Sequence, residues 1–173
     1  MPTEAICLGP VTRRDADALI RANLESRALH HPWAHPPTDR AGFEAWYERI
    51  LLGPLIGLVG REATSGEIVG VVTLSGIAGG GFQNACLGYY GMIGTARRGL
   101  MTASVAQACR YGFDGLGLHR LEANIQPGNA ASIALVRRIG FRLEGFSPRY
   151  LRIDGAWRDH QRWALLADEI KAG

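Results

Sequence analysis

Two periods of apolar residues divide the chain. Near its start a short apolar run, Ala5 to Leu8, reads as a strand, and Thr12 with Asp15 three residues on opens a helix carrying Leu19, Ile20 and Leu24. The segment His30 to Asp39, HHPWAHPPTD, holds three prolines and breaks regular structure. Asp39 then caps a second helix, because Phe43, Trp46, Tyr47, Ile50 and Leu51 recur at the spacing of one helical face, and Gly53-Pro54 ends it. From Leu55 the period shortens. Leu55 to Gly60, Ile68 to Ile77 and Ala85 to Ile93 read as successive hairpin-linked strands, an antiparallel meander.

Beyond the meander the pattern becomes strand, basic glycine loop, helix, strand, Asn-bearing turn, helix. Thr95 to Gly99 leads into a helix predicted over Leu100 to Leu116, stopped by Gly115 and Gly117. His119 to Gln126 is the next strand, Pro127-Gly128 turns the chain, and Asn129 caps a helix that Gly140 ends before a strand from Phe141. In the tail RYLRIDGAWRDHQRWALL, Asp154-Gly155 between two alternating segments predicts a hairpin. This order predicts an α/β fold, a mixed sheet with helices on both faces, as a single domain over residues 1–173.

Composition narrows the function. No run of about 18 apolar residues occurs and the N-terminus lacks the order of a signal peptide, so a soluble cytoplasmic protein without membrane contact is expected. Cys7, Cys86 and Cys109 are far apart and odd in number, against a disulfide framework or a zinc site. The net charge is +3, and Lys171 is the only lysine among 19 basic residues, the arginines being scattered rather than gathered in a tail. That balance suits anionic small ligands or a ribosomal surface, with no direct nucleic-acid binding predicted.

The basic glycine loop carries the sharpest chemistry. Where Thr95 to Gly99 opens into a helix, unpaired N–H groups, Arg97 and Arg98 converge on a place for an anion, so a phosphate-bearing ligand is expected. Its bland counterpart is an ordinary strand-to-helix turn. The HHPWAH cluster is not read as a metal site, because prolines interrupt it and no Cys or carboxylate completes a ligand set.

The same residues carry a family resemblance. GVVTLSGI with LGYY, then GLMTAS, LHRLEANIQPGNAASIALVRRIGF and YLRIDGAWRDH resemble the GNAT acyl-CoA N-acyltransferases, and among them the RimJ type of ribosomal-protein-alanine N-acetyltransferase. The resemblance runs from about the first helix to the last strand. It implies a largely antiparallel sheet with a splayed central strand pair, and acetyl-CoA as co-substrate. The loop consensus of the superfamily, Gln or Arg, two residues, Gly, one residue, Gly or Ala, falls here on Ala96, Gly99 and Met101, so a side-chain donor is missing at Ala96. Gly91 and Gly94 stand where relatives carry bulkier residues.

By the same resemblance the backbone of Tyr89, Tyr90 and Gly91 pairs with the pantetheine arm, and Arg97, Arg98, Gly99, Leu100, Met101 and Thr102 hold the pyrophosphate. Asn129 reaches the pantetheine as well as capping its helix, and Ser132 lies close to the thioester sulfur. Amide formation from a thioester needs a neutral amine, a stabilised oxyanion and a protonated leaving thiolate. Glu122 is the leading base, with His119 as the fallback; its bland counterpart is a carboxylate paired with Arg120 or Arg142 at a sheet edge. Ser132 or Tyr150 would protonate the thiolate. Trp33 forms part of the acceptor wall, or else plugs the core. The expected acceptor is a protein or peptide N-terminus, with a ribosomal protein implied by the family. A small-molecule amine such as an amino acid, toxin or antibiotic, and a non-catalytic CoA-binding module, are the alternatives. Either a monomer or a homodimer is compatible with the sequence.

Overall fold

The computed structural model describes residues 5–170. Its seven strands form one sheet in the order β1-β2-β3-β4-β5-β7-β6. They are β1 (Ile6–Pro10), β2 (Leu55–Glu62), β3 (Ile68–Ala78), β4 (Asn84–Gly91), β5 (Arg120–Ile125), β6 (Arg142–Ile153) and β7 (Ala156–Leu166). The helices are α1 (Ala16–Glu25), α2 (Arg27–His30), α3 (Arg40–Leu51), α4 (Leu100–Arg110) and α5 (Ala130–Ile139). Every neighbouring strand pair is antiparallel except β4 with β5, which the crossover through α4 makes parallel.

Local signals set most element boundaries. Asp15 accepts from the backbone and hydroxyl of Thr12 at 2.7 and 2.9 Å, and Asp39 accepts from the N–H of Gly42 at 2.7 Å, so α1 and α3 begin near where their capping residues stand. Three expectations shift. The long helix predicted to Leu116 ends as α-helix at Arg110 and continues as one π-helical turn, Tyr111–Gly115, so its wider winding carries the stop earlier. The α3 stripe is narrower than predicted, with Phe43 fully buried and Leu51 in solvent. The terminal hairpin does not simply extend the sheet: β7 inserts between β5 and β6.

Alternation along the strands builds a core on each face of the sheet. Leu58, Val72, Leu74, Leu87, Leu121, Ala123, Trp163 and Leu165 pack with Val105, Ala108 and Cys109 of α4 and Val136 and Ile139 of α5. Val59, Val71 and Ile68 pack on the opposite face with Leu19 of α1 and Phe43 of α3. Burying a side chain such as Leu121 stabilises by about 1.5–3 kcal/mol, so these two layers fix the sheet from which the site is built. Among the described residues no helix is long and apolar enough to cross a membrane.

Candidate active site

The site begins where β4 and β5 separate. They pair at Asn84 with Arg120, Ala85 with Leu121 and Cys86 with Glu122, and there the pairing stops. Beyond it β4 runs on to Gly91 and β5 to Ile125, leaving a wedge-shaped gap that opens toward the C-terminal ends of both. The main chain of β4 decides what faces that gap. The N–H of Met92 donates to the Val69 carbonyl, and the Thr73 hydroxyl donates to the carbonyl of Gly88, so the even-numbered residues turn toward β3. By antiparallel alternation, Leu87, Tyr89 and Gly91 turn their backbone groups into the gap.

This corrects part of the expected cofactor contact. Tyr90 has its main-chain groups on the β3 side, and its ring is buried on the α1 face, where burial pushes the phenol pKa up. The Gly91 carbonyl already accepts from Nε2 of His30 at 2.8 Å. Tyr89, with the N–H of Gly91, remains turned to the gap.

The basic loop delivers an open helix end. Gly99 is the N-cap of α4 at φ 78°, a left-handed conformation that favours glycine, and no side chain caps the helix. The N–H groups of Leu100, Met101 and Thr102 lie in the first turn, which has no intrahelical acceptors, and the helix dipole adds partial positive charge. Their side chains serve packing instead: Leu100 and Thr102 are buried, and Met101 lies against Gly70 and Gly91. The two arginines are not equivalent. Arg97 is exposed at φ 61°, whereas Arg98 is drawn back into an ion pair with Glu62, so Arg98 does not stand free at the loop as expected. Glu62 is held below the usual carboxylate range by the Ser65 hydroxyl first and by Arg98 second.

On the α4 and α5 side of the sheet, Asn129 caps α5 by accepting from the N–H of Ser132 at 3.1 Å. The Ser132 hydroxyl is 2.6 Å from that of Tyr89. Burial pushes Tyr89 up to about 12, against the opposing effect of its bond to Ser132, so the phenol keeps its proton.

Glu122 projects from the other face of the sheet. Arg120, two residues back on the same side of β5, donates through Nε to Glu122 Oε1 at 2.8 Å and also binds Glu144. The paired-carboxylate expectation therefore holds for Arg120, but not at an edge, because β5 lies between β4 and β7. The second oxygen of Glu122 takes no hydrogen bond from any described residue. Across the strand boundary, burial first and the Glu122 charge second push the Cys86 thiol up. His119 lies three residues before Glu122, about 10 Å back along the strand and away from the opening. Its N–H pairs with Gln83, and as a fallback base it is misplaced.

The remaining candidates lie around the mouth of the gap. The Trp33 ring rests on the turn before α5, so closely that a Cβ at Gly128 would come within 3.0 Å of it. Tyr150 is exposed on β6, its ring 6.0 Å from that of His160, and no described hydrogen bond links it to Ser132. The histidines of HHPWAH separate in role: His30 holds Gly91, His31 is exposed, and His35 pairs with Asp154 at 3.0 Å. Among the described residues no three His, Cys, Asp or Glu side chains gather to hold a metal. Sequence reasoning missed the Tyr89 hydroxyl and His30. Strand alternation places Tyr89 on the face of Leu87 and Leu121, but nothing local signals that Ser132 stands above it.

A parallel pair that splays beside an uncapped helix N-terminus, inside an otherwise antiparallel sheet, defines an acyl-CoA N-acetyltransferase of the GNAT fold. The chain belongs to the family described as acetyltransferase (GNAT) domain, which matches residues 5–142, and members of that family use acyl-CoA. It is 30% identical to the [ribosomal protein uS5]-alanine N-acetyltransferase of Escherichia coli over 188 aligned positions, covering 100% of this chain and 93% of the relative. It is also 31% identical to an L-methionine sulfoximine/L-methionine sulfone acetyltransferase of Pseudomonas aeruginosa, over 81% of each chain. Among solved structures, Mycobacterium smegmatis RimJ in complex with CoA-disulfide superposes with a TM-score of 0.84 at 31% identity, covering 97% of this chain and 85% of that one.

Proposed function

We propose that this enzyme transfers an acetyl group from acetyl-CoA to the α-amine of a protein or peptide N-terminus. The observation that carries the reading is the gap beyond Cys86 and Glu122, with a hydroxyl pair on one side of the sheet and a carboxylate on the other. The residues fit the co-substrate. The open first turn of α4, with Arg97 beside it, suits a pyrophosphate, and the free backbone of Tyr89 and the N–H of Gly91 suit the amides of a pantetheine arm. Acetyl-CoA supplies a thioester carbon open to attack by a neutral amine.

The chain's own groups divide the proton work. Glu122, through the oxygen that Arg120 leaves uncovered, takes the proton of the incoming ammonium. Ser132 gives a proton to the departing sulfur and is oriented by the Tyr89 hydroxyl at 2.6 Å. A peptide α-amine has an ordinary pKa of about 7.7–8.0, so a modest base is enough near neutrality, whereas lysine at about 10.4 asks more. Similarity to the uS5-alanine enzyme supports a ribosomal N-terminus as acceptor. The relative named for methionine sulfoximine favours a second reading, a small amino-acid-like amine.

Mass spectrometry after incubation with acetyl-CoA separates the two, using Ala- and Ser-initiated peptides beside free amino acids and polyamines. Peptide turnover at much higher kcat/KM is expected. Preference for the free amines would replace the acceptor assignment. Glu122→Gln is expected to lower kcat/KM by about ten- to a thousandfold at neutral pH. The deficit should shrink toward pH 9.5, where the acceptor is already neutral. A constant deficit accompanied by weaker coenzyme A binding would remove Glu122 from the chemistry.

A further inference from the structure

The segment His30–His35 makes three contacts that fall in a row across one end of the sheet. His30, buried at the end of α2, donates to the carbonyl of Gly91, the last residue of β4. Trp33 lies on Gly128, in the turn that leaves β5. His35 Nε2 lies 3.0 Å from the carboxylate of Asp154, at the tip of the β6–β7 hairpin. β5 is parallel to β4, and β7 runs antiparallel to both β5 and β6, so the C-terminal ends of β4, β5 and β6 all lie on the same side. The gap between β4 and β5 opens at that side. The segment therefore crosses the opening from one bank to the other.

The segment leaves α2 through a turn of its own, and the chain just beyond it is tied to α1. The His30 carbonyl accepts from the N–H groups of Trp33 and Ala34 at 2.7 and 2.9 Å, and the Pro37 carbonyl accepts from the buried Asn23 at 2.8 Å. Its three contacts grade outward. His30 is buried and Trp33 half-buried, while His35 and Asp154 are each about half exposed, at 49% and 52%. An inner contact that holds the strand and an outer one that solvent reaches make the outer one the part that yields first.

We propose that His30–His35 is a strap over the acceptor entrance, and that its outer anchor, the 3.0 Å contact between His35 Nε2 and the Asp154 carboxylate, sets how bulky an amine-bearing residue reaches the gap. This rests on the acceptor function proposed above, with the amine entering beneath Trp33. With the anchor closed, the space between Trp33 and the hairpin tip is fixed. With it released, the strap is held only by the His30 bond to Gly91 and the Trp33 contact on Gly128, the hairpin tip is free of it, and larger first residues are admitted. An exposed contact between a histidine and a carboxylate is a weak latch, so its removal is expected to shift acceptor preference by about two- to fivefold rather than to abolish activity.

The test compares His35→Ala, Asp154→Ala and the double variant with the wild-type enzyme. The readout is the ratio of kcat/KM for a Leu-initiated peptide over an Ala-initiated one, repeated with leucinamide over alaninamide so that either acceptor class gives a ratio. Each single variant is expected to raise the ratio two- to fivefold, the double variant no further, and the coenzyme A Kd by calorimetry to stay unchanged. Unchanged ratios in an active enzyme overturn this inference alone, as do single-variant effects that simply multiply in the double variant. A wild-type enzyme inert toward all four acceptors overturns the acceptor reading and this inference together.

Discussion

Tyr89 does two jobs in one residue. Its backbone faces the gap between β4 and β5, while its hydroxyl reaches Ser132 in the first turn of α5. Tyr89→Phe removes a single oxygen from a residue that stays packed, so Ser132→Ala and Tyr89→Phe separate the donor from its orienter. Ser132→Ala is expected to lower kcat by about a hundredfold if it protonates the leaving sulfur, and Tyr89→Phe by less. Equal kcat for wild-type enzyme and Ser132→Ala, measured with a saturating acceptor, would take Ser132 out of the proton transfer. His30 makes a separate prediction. Burial holds its pKa below the ordinary 6.5, with the Gly91 bond opposing, so the neutral ring is the folded form. A depressed folded pKa contributes stability that is complete above about 6.5 and is lost as pH falls through the depressed value. The Tm should therefore decline between pH 7.5 and 5, and His30→Gln should flatten part of that slope. A variant with the same slope as the wild-type protein would assign the decline to other groups.

At the scale of elements, the start of α4 presents backbone N–H groups that no side chain caps, and the two arginines before it are separable. Gly99→Val forces a branched side chain into a left-handed position. It is expected to weaken coenzyme A binding by at least about tenfold, the scale of a few kcal/mol of backbone strain. Arg97→Ala should weaken binding in a salt-dependent way, whereas Arg98→Ala should act mainly through the lost contact with Glu62 and change coenzyme A affinity little. Calorimetry at two ionic strengths checks both, and equal losses for the two arginine variants would mean that Arg98 leaves Glu62 on binding. These roles show where the sequence was informative. Capping residues and glycines announced α3, α4 and α5 because they act within a few positions. The partner of Arg98 lies 36 residues back in the chain, on β2, and no local pattern predicts a pairing at that range.

For the whole molecule, the legible part was the order of elements and the side of the sheet each apolar residue takes. The periods of two and of 3.6 residues are imposed by the two cores, one on each face of the sheet. The illegible part was long-range: the insertion of β7 beside β5, the Arg120 link from Glu122 to Glu144, and the contacts of His30 and His35. Glu122 was a sound candidate because its strand could be placed. Its ion pair depends on Glu144, brought alongside by a hairpin whose position in the sheet no spacing reveals.

That position of β7 governs how the protein is made. β5 shares three residue pairs with β4 and six with β7, so the strand bearing Glu122 draws most of its backbone pairing from a strand that leaves the ribosome about thirty residues after it, the last among the described residues. While the ribosome is still elongating through Ala156–Leu166, β5 has one flank of unsatisfied N–H and C=O groups, an adhesive edge in a crowded cell. A chain truncated after Gly155 is expected to appear in the insoluble fraction on expression, although all the loop and helix residues assigned to coenzyme A are present. Recovery of that fragment as a soluble, coenzyme-A-binding protein would show that the sheet closes without its final strand. Otherwise nascent chains stay silent as enzymes, and sticky, until β7 has left the ribosome.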